Sequence, residues 1–359
     1  MNSLINRRRL LSGTAAAAGI GLIGSRARAA EPLQVGFVYV GPVGDFGWSY
    51  QHDQGRKGLE AALGEAIKTN FVEKVPEGPD AERVIRQLAS NGDGLIFTTS
   101  FGFMNPTERV ARAFPKVKFE MATGYKTLPN MAEYNARFYE GRAVCGTIAA
   151  HVSKSGVAGY VASVPIPEVV MGIDAFTLAA RKVNPNFQSK VIFVNSWFDP
   201  GKESDAAKSL IDQGADVLCQ HTDSPAVIQT AEARGVLAFG QASDMRSFGP
   251  KAQLTAIVDN WTPYYIERTK AVLDGTWKTS SVWLGMKEGI VQIAPYGPGV
   301  TDAAREAADK VKAGIIAGTL HPFAGPISDQ KGNQKVAAGA TIPDEELLKL
   351  DWYVQGVQA

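Results

Sequence analysis

Two tryptophans, each with an acid within three residues, are the side chains of this sequence best suited to hold a ligand. Asp45 and Trp48 lie in Gly41-Pro42-Val43-Gly44-Asp45-Phe46-Gly47-Trp48, directly after the apolar run Val35–Val40. Trp197 and Asp199 lie in Asn195-Ser196-Trp197-Phe198-Asp199, directly after the apolar run Val191–Val194. A flat ring held between two indoles gains ~1–3 kcal/mol per stacked face. Its edge atoms would then be read by carboxylates such as Asp45 and Asp244, and by carboxamides such as Asn105, which can both donate and accept. Asp259, in Asp259-Asn260-Trp261, follows another apolar run, Leu254–Val258, and joins the set. Each residue has a competing assignment: strand-end tryptophans are often core, and an Asp before a helix often caps it.

The elements that would position these groups alternate. Strand-like runs at Leu33–Val40, Lys68–Val72, Gly94–Thr99, Lys118–Met121 and Met131–Asn135 are separated by helical patterns at Ser49–Glu65, Asp80–Ser90 and Asn105–Phe114. The Ala-rich segment Arg142–Val152 leaves this set, and a second one starts at Val157–Ala162. It continues with strands at Lys190–Val194, Val217–Gln220 and Val236–Gly240, and helices near Val169–Lys182, Ser204–Gln213 and Ala226–Arg234. Helical segments are also expected at Thr301–Ala317 and Asp344–Gln355. Such alternation predicts parallel βαβ construction, and its double start predicts two α/β lobes. The first takes residues 33–138 plus about 262–282, the second 139–261 plus about 283–359. Every candidate side chain sits where a predicted strand ends, the edge at which open α/β sheets bind ligands.

Composition narrows the function. With 37 basic and 36 acidic residues and a net charge of +1, the chain lacks the basic excess of a nucleic-acid partner. Its four histidines show no ligand spacing, so no metal or other cofactor is expected. Cys145 and Cys219 each sit in an apolar run and are expected as buried free thiols. At the start, Arg7-Arg8-Arg9, an apolar run from Leu10 to Ile23 and Ala27-Arg28-Ala29 follow the order of a twin-arginine export signal. Cleavage near Ala29 or Ala30, with no lipid-bearing Cys there, would release a soluble periplasmic protein.

The chain resembles the basic membrane protein family of bacterial substrate-binding proteins, the purine nucleoside receptor type that serves ATP-binding-cassette (ABC) importers. The resemblance rests on Gly44-Asp45-Phe46-Gly47-Trp48-Ser49 with Gly58-Leu59, and on Tyr139-Glu140-Gly141-Arg142-Ala143. Gly156-Val157-Ala158-Gly159, Phe198-Asp199-Pro200-Gly201-Lys202-Glu203, Gly214-Ala215-Asp216-Val217 and Ser243-Asp244 complete it. It implies a type I periplasmic binding protein, with two Rossmann-like lobes of parallel sheets joined by a hinge. It further implies a monomer that closes on a purine or purine nucleoside and then docks on a membrane permease.

By the same resemblance, Asp45 matches the ligand-binding acid of the first lobe and Trp48 its stacking aromatic. Trp197, or else Phe198, matches the second aromatic, and Asp244 the second-lobe carboxylate. Asn105 replaces a family Asp, which suits adenine better than an oxopurine. Asp259 replaces a Lys directed at the sugar, which favours a free base over a nucleoside. No catalytic residue is expected. The alternative is a periplasmic enzyme acting on nucleosides or sugars with Asp45 or Asp244 as base, but no catalytic motif supports it. The effector-binding half of a transcription regulator is a third reading, which the export signal disfavours.

Overall fold

The structure, a computed structural model, describes residues 31–44 and 46–359. Both the expected export signal over residues 1–29 and Asp45 lie outside the described residues. The first set of elements comprises β1 (Leu33–Val38), α1 (Gly47–Leu63), β2 (Ile67–Val72), α2 (Pro79–Ser90), β3 (Leu95–Thr98), α3 (Met104–Ala113), β4 (Lys118–Ala122) and β5 (Met131–Ala136). Helix α4 (Phe138–Val152) leads to β6 (Val157–Ala162), α5 (Pro167–Val183), β7 (Gln188–Phe193), α6 (Pro200–Asp212), β8 (Val217–His221), α7 (Ala226–Arg234), β9 (Leu237–Gly240) and β10 (Gln253–Asp259). Then come α8 (Thr262–Leu273), β11 (Ser281–Leu284), β12 (Val291–Ile293), α9 (Asp302–Ile316), a hairpin of β13 (Ile327–Ser328) and β14 (Gln334–Val336), α10 (Asp344–Leu347) and β15 (Val357–Gln358).

Two sheets organise these elements. The first has the order β11-β5-β4-β3-β1-β2, and the second β12-β10-β9-β8-β6-β7-β15. Every pairing in the first is parallel. In the second, only β12 on β10 runs antiparallel. Strands covered by helices on both faces are built mainly from apolar residues, as in Leu95-Ile96-Phe97 of β3, and the fully buried β5 also takes in Glu133 and Asn135. In each sheet the strand order reverses beside its first strand, between β1 and β3 in one and between β6 and β8 in the other. That reversal opens a crevice at the carboxyl ends of the strands.

The chain crosses between the sheets three times, after β5, after β10 and after β11. Helix α8 is tied back to the first sheet by Glu120 of β4, a carboxylate with no exposed surface. It accepts from Tyr264 Oη at 2.7 Å, Arg268 Nε at 2.6 Å and Trp277 Nε1 at 2.6 Å, so the buried charge is matched by donors. Cys145 and Cys219 are buried free thiols. The helix expected over Asp344–Gln355 stops at Leu347. Beyond it, the Val354 N–H donates to the buried Asp174 carboxylate at 3.0 Å, and Val357–Gln358 pairs with β7. Those tertiary contacts draw the backbone out of its local helical preference.

Helices α4 and α5 pack backbone to backbone: a Cβ on Gly146 would lie 2.0 Å from the Phe176 carbonyl oxygen. Gly→Ala in a helix normally gains ~1 kcal/mol from propensity, but here overpacking wins. Gly146→Ala is expected to cost about 1–3 kcal/mol in urea unfolding. A midpoint equal to or above wild type would show that the two helices do not touch there.

Candidate ligand-binding site

The switch points of the two sheets face each other, and a narrow cavity lies between them. From the first lobe come Val40 and Trp48 after β1, Ser100 and Phe101 after β3, and Thr123 after β4. Opposite them stand Glu168 after β6, Trp197 after β7, His221 and Asp223 at the end of β8, and Gln241 after β9.

Trp48 is fixed on several sides. Its indole N–H donates to the Thr99 carbonyl at 2.6 Å. Its ring meets His52 at 4.3 Å, Trp261 at 5.7 Å and Phe138 at 5.8 Å, each near-perpendicular. Edge-to-face packing of this kind sets the plane of an aromatic ring. Trp197 lies across the cavity, half-buried, with its ring tilted against His221 at 6.4 Å. Its carbonyl accepts from the Asp223 N–H at 2.9 Å, which joins two cavity-lining loops.

The polar lining offers both acceptors and donors. Arg142 of α4 is fully buried and bonds the Gln241 side-chain oxygen and, at 3.3 Å, the Cys219 sulfur. A guanidinium only donates, so the Gln241 oxygen must face it, leaving the carboxamide NH₂ as a donor for the cavity. Glu168 Oε1 lies 3.6 Å from His221 Nε2. Burial nevertheless holds the imidazole below its usual range and therefore neutral. Burial, reinforced by the neighbouring carboxylates Glu203 and Glu168, pushes Asp223 well above the carboxylate range. Such a group holds its proton, so it presents both an O–H to give and a carbonyl oxygen to receive.

The loop after β1 reaches across the cleft into the second lobe. Phe46 packs edge-on against Phe248 at 5.2 Å, and the Gly47 N–H donates to Ser243 Oγ at 2.7 Å. A Cβ on Gly47 would sit 2.0 Å from the Asp223 carbonyl oxygen. Phe46 itself adopts φ 62°, a left-handed conformation costly for a side-chain-bearing residue. The loop between Asp45 and Trp48 is thus held from the opposite lobe.

The candidates from the sequence divide. Trp48 and Trp197 come together at the cavity, whereas Asp45 lies outside the described residues. The structure does not bring Asn105, Asp199, Asp244 or Asp259 to the cavity lining. Asn105 is exposed on α3 and accepts from Lys126 Nζ at 2.8 Å. Asp199 caps α6, accepting from the Lys202 N–H at 3.1 Å. Asp244 accepts from the Arg246 N–H at 3.1 Å and Gln253 Nε2 at 2.5 Å, tying its own loop. Asp259 is fully buried, and among the described residues neither of its oxygens has a hydrogen-bond partner. Its pKa is raised well above the usual range by burial, against the pull of Arg142. The cavity residues absent from the sequence-derived set are Val40, Ser100, Phe101, Thr123, Glu168, His221, Asp223 and Gln241. Most belong to strand-end loops that the alternation already marks. Glu168 does not, since it is presented by the first turn of α5.

A fold of two parallel lobes closing on a cavity with little besides binding groups defines a two-lobed solute receptor. A sequence profile of ABC transporter substrate-binding proteins of the PnrA-like type, the Bmp family, matches residues 33–319. The chain belongs to this family. A purine-binding protein of Brucella abortus is 59% identical over 336 residues, covering 94% of this chain and 96% of the relative. A protein of Haloferax volcanii named for glucose binding in an ABC transporter is 37% identical over 295 residues, 82% of this chain and 75% of its own. A solute-binding protein of an ABC transporter system from Aeropyrum pernix K1 shares the fold, with a TM-score of 0.71 at 19% identity over 88% of this chain and 95% of that one. The protein is therefore a binding component and not an enzyme; its partners are a small-molecule ligand and a membrane permease, and its family works outside the cytoplasm.

Gly47→Ala is expected to lower ligand affinity at least about tenfold with the circular dichroism spectrum retained, because the Cβ would push the loop off Asp223. Ser243→Ala removes one hydrogen bond worth ~0.5–1.5 kcal/mol and should weaken binding about two- to tenfold in titration calorimetry. Asp223→Asn tests the raised carboxyl. Its folded pKa lies above the unfolded one, so its contribution to stability is complete in acid and is lost as pH rises. Between about pH 5 and pH 7.5 the urea-unfolding stability of the ligand-free protein should fall less in Asp223→Asn than in wild type. An equal fall would show that Asp223 is not the group responsible.

Proposed function

We propose that the protein captures a purine base, adenine before the others, between Trp48 and Trp197 and delivers it to the permease. The observation that carries this reading is the pair of indoles presented to one cavity from opposite lobes. Two stacked faces at ~1–3 kcal/mol each would supply a large part of a micromolar affinity. Glu168 is an acceptor, the protonated Asp223 at a separate point both donates and accepts, and Gln241 adds a donor. Free adenine has an exocyclic amino group and a ring N–H to give, with ring nitrogens to receive, and the base in a nucleoside has lost that ring N–H to the sugar. The purine-binding Brucella relative supports the same class. Asn105, bonded to Lys126 on an exposed helix face, adds nothing to the adenine preference, which rests on these other groups.

In this reading Asp45 completes the first-lobe contacts, and the hinge lies where the chain crosses between the sheets. The lobes comprise residues 33–138 plus about 262–282, and 139–261 plus about 283–359. The protein acts as a periplasmic monomer after cleavage near Ala29 or Ala30, and its balanced charge gives it no nucleic-acid partner.

Calorimetric titration of ligand-stripped protein with adenine, guanine, adenosine and glucose tests the assignment. Adenine should bind one-to-one and most tightly, and Trp48→Ala and Trp197→Ala should each weaken it about 5- to 150-fold. Clear preference for adenosine or glucose would replace the free-base reading. Adenine affinity unchanged in both variants would remove the stacked geometry.

A further inference from the structure

The cleft continues beyond the space between the tryptophans. A second, larger cavity adjoins the first and shares Phe101, Thr123 and Glu168 with it. Three parts of the chain wall it in: Tyr125 after β4; Ile166, Pro167 and Met171 around the start of α5; and Leu348 at the end of α10. This lining is largely hydrocarbon. Among the polar side chains there, Asn135 already has its oxygen engaged by the Ala136 N–H at 2.7 Å, while Glu345 and Lys349 are exposed.

The wall formed by α10 is anchored. Asp344 is gripped by both terminal nitrogens of Arg137, Nη1 at 2.9 Å and Nη2 closer still. The guanidinium in turn lies 4.3 Å from the centre of the Trp283 ring. Tyr125 and Leu348 stand at the rim 69% and 46% exposed, an apolar pair facing water beside a binding cleft. A sugar placed here would give up hydration of several hydroxyls for few protein partners, which is unfavourable. An alkyl or aryl group would instead leave water for an apolar surface.

Glu168 stands at the junction of the two cavities, its carboxylate turned towards His221. An exocyclic amine that gives one hydrogen to Glu168 has its other position free to carry a substituent past it. We propose that the site accommodates purines bearing an apolar alkyl or aryl group on the exocyclic amino nitrogen, the ring between the tryptophans and the substituent in the second cavity. The assignment rests on the purine reading above and names the ligand class for which the cleft has room.

The test is calorimetric titration of the ligand-stripped protein with adenine, N6-benzyladenine and adenosine, in wild type and in Leu348→Asp. Leu348 is half-exposed, so its replacement leaves the core untouched, and adenine binding reports that the site is intact. N6-benzyladenine should bind at least as tightly as adenine and more tightly than adenosine, with the more negative heat-capacity change that apolar burial produces. In Leu348→Asp it should lose about tenfold while adenine changes less than about twofold. If adenine binds but N6-benzyladenine is more than about a hundredfold weaker, the second cavity takes no such group, and the purine assignment stands without it. Equal losses for both ligands in Leu348→Asp would overturn the proposal as well. If neither compound binds, the purine reading fails first and this inference falls with it.

Discussion

The Gly47 backbone lies against the carbonyl of Asp223, with Ser243 Oγ bonded to its N–H. At this point the two lobes meet without an intervening side chain. Much of the site depends on that approach. It fixes the loop ahead of Trp48 from the opposite lobe, brings the ends of β1 and β8 to the same cavity, and places Phe46 against Phe248. Only glycine permits it, both for its φ of 77° and because any Cβ would collide with backbone. The strained φ of Phe46 is maintained by the packing of its ring on the second lobe. The site between the lobes is therefore assembled in part by this contact and not by either lobe alone.

Electrostatics set the other constraint. Burial raises Asp223, Asp259 and Glu120 alike, but of the three it is Glu120 whose oxygens are met by Arg268, Tyr264 and Trp277. The matched carboxylate holds the scaffold, tying α8 to β4. The cavity carboxyl Asp223 is left for the hydrogen-bond partner that the ligand brings. A group that is costly alone and satisfied on binding gives a receptor part of its selectivity, since a ligand lacking that partner leaves the cost in place.

Alternating apolar runs and helical patterns place β1 to β10 within a few residues, because buried parallel strands are mainly hydrophobic and leave a strong local signal, whereas the short edge strands β11, β12 and β15 leave none. Trp48 and Trp197 were legible too, since each follows a strongly apolar run, β1 in the first lobe and β7 in the second. Carboxylates were not. Asp199 and Asp244 have the residue type and position of ligand contacts, yet they cap and tie their own loops, as Asp at such positions commonly does. Asn105 follows the correct strand but turns outward to Lys126 on the far side of a helix turn. Glu168 carries no mark at all in the sequence. Its place depends on how the first turn of α5 sits against the opposite lobe, and no local pattern encodes that.

Sequence alone determined the α/β class, the doubled strand–helix construction, the family and the aromatic pair, because each follows from periodicity, composition or residues close together in the chain. Tertiary structure alone decided which acids face the cavity and that Gln241 is turned by Arg142. It likewise decided that the last residues join the second sheet instead of continuing a helix, and that a second, apolar cavity opens beside the first. These depend on side-chain orientation and on contacts between segments more than a hundred residues apart, such as Gly47 with Ser243 and Val354 with Asp174.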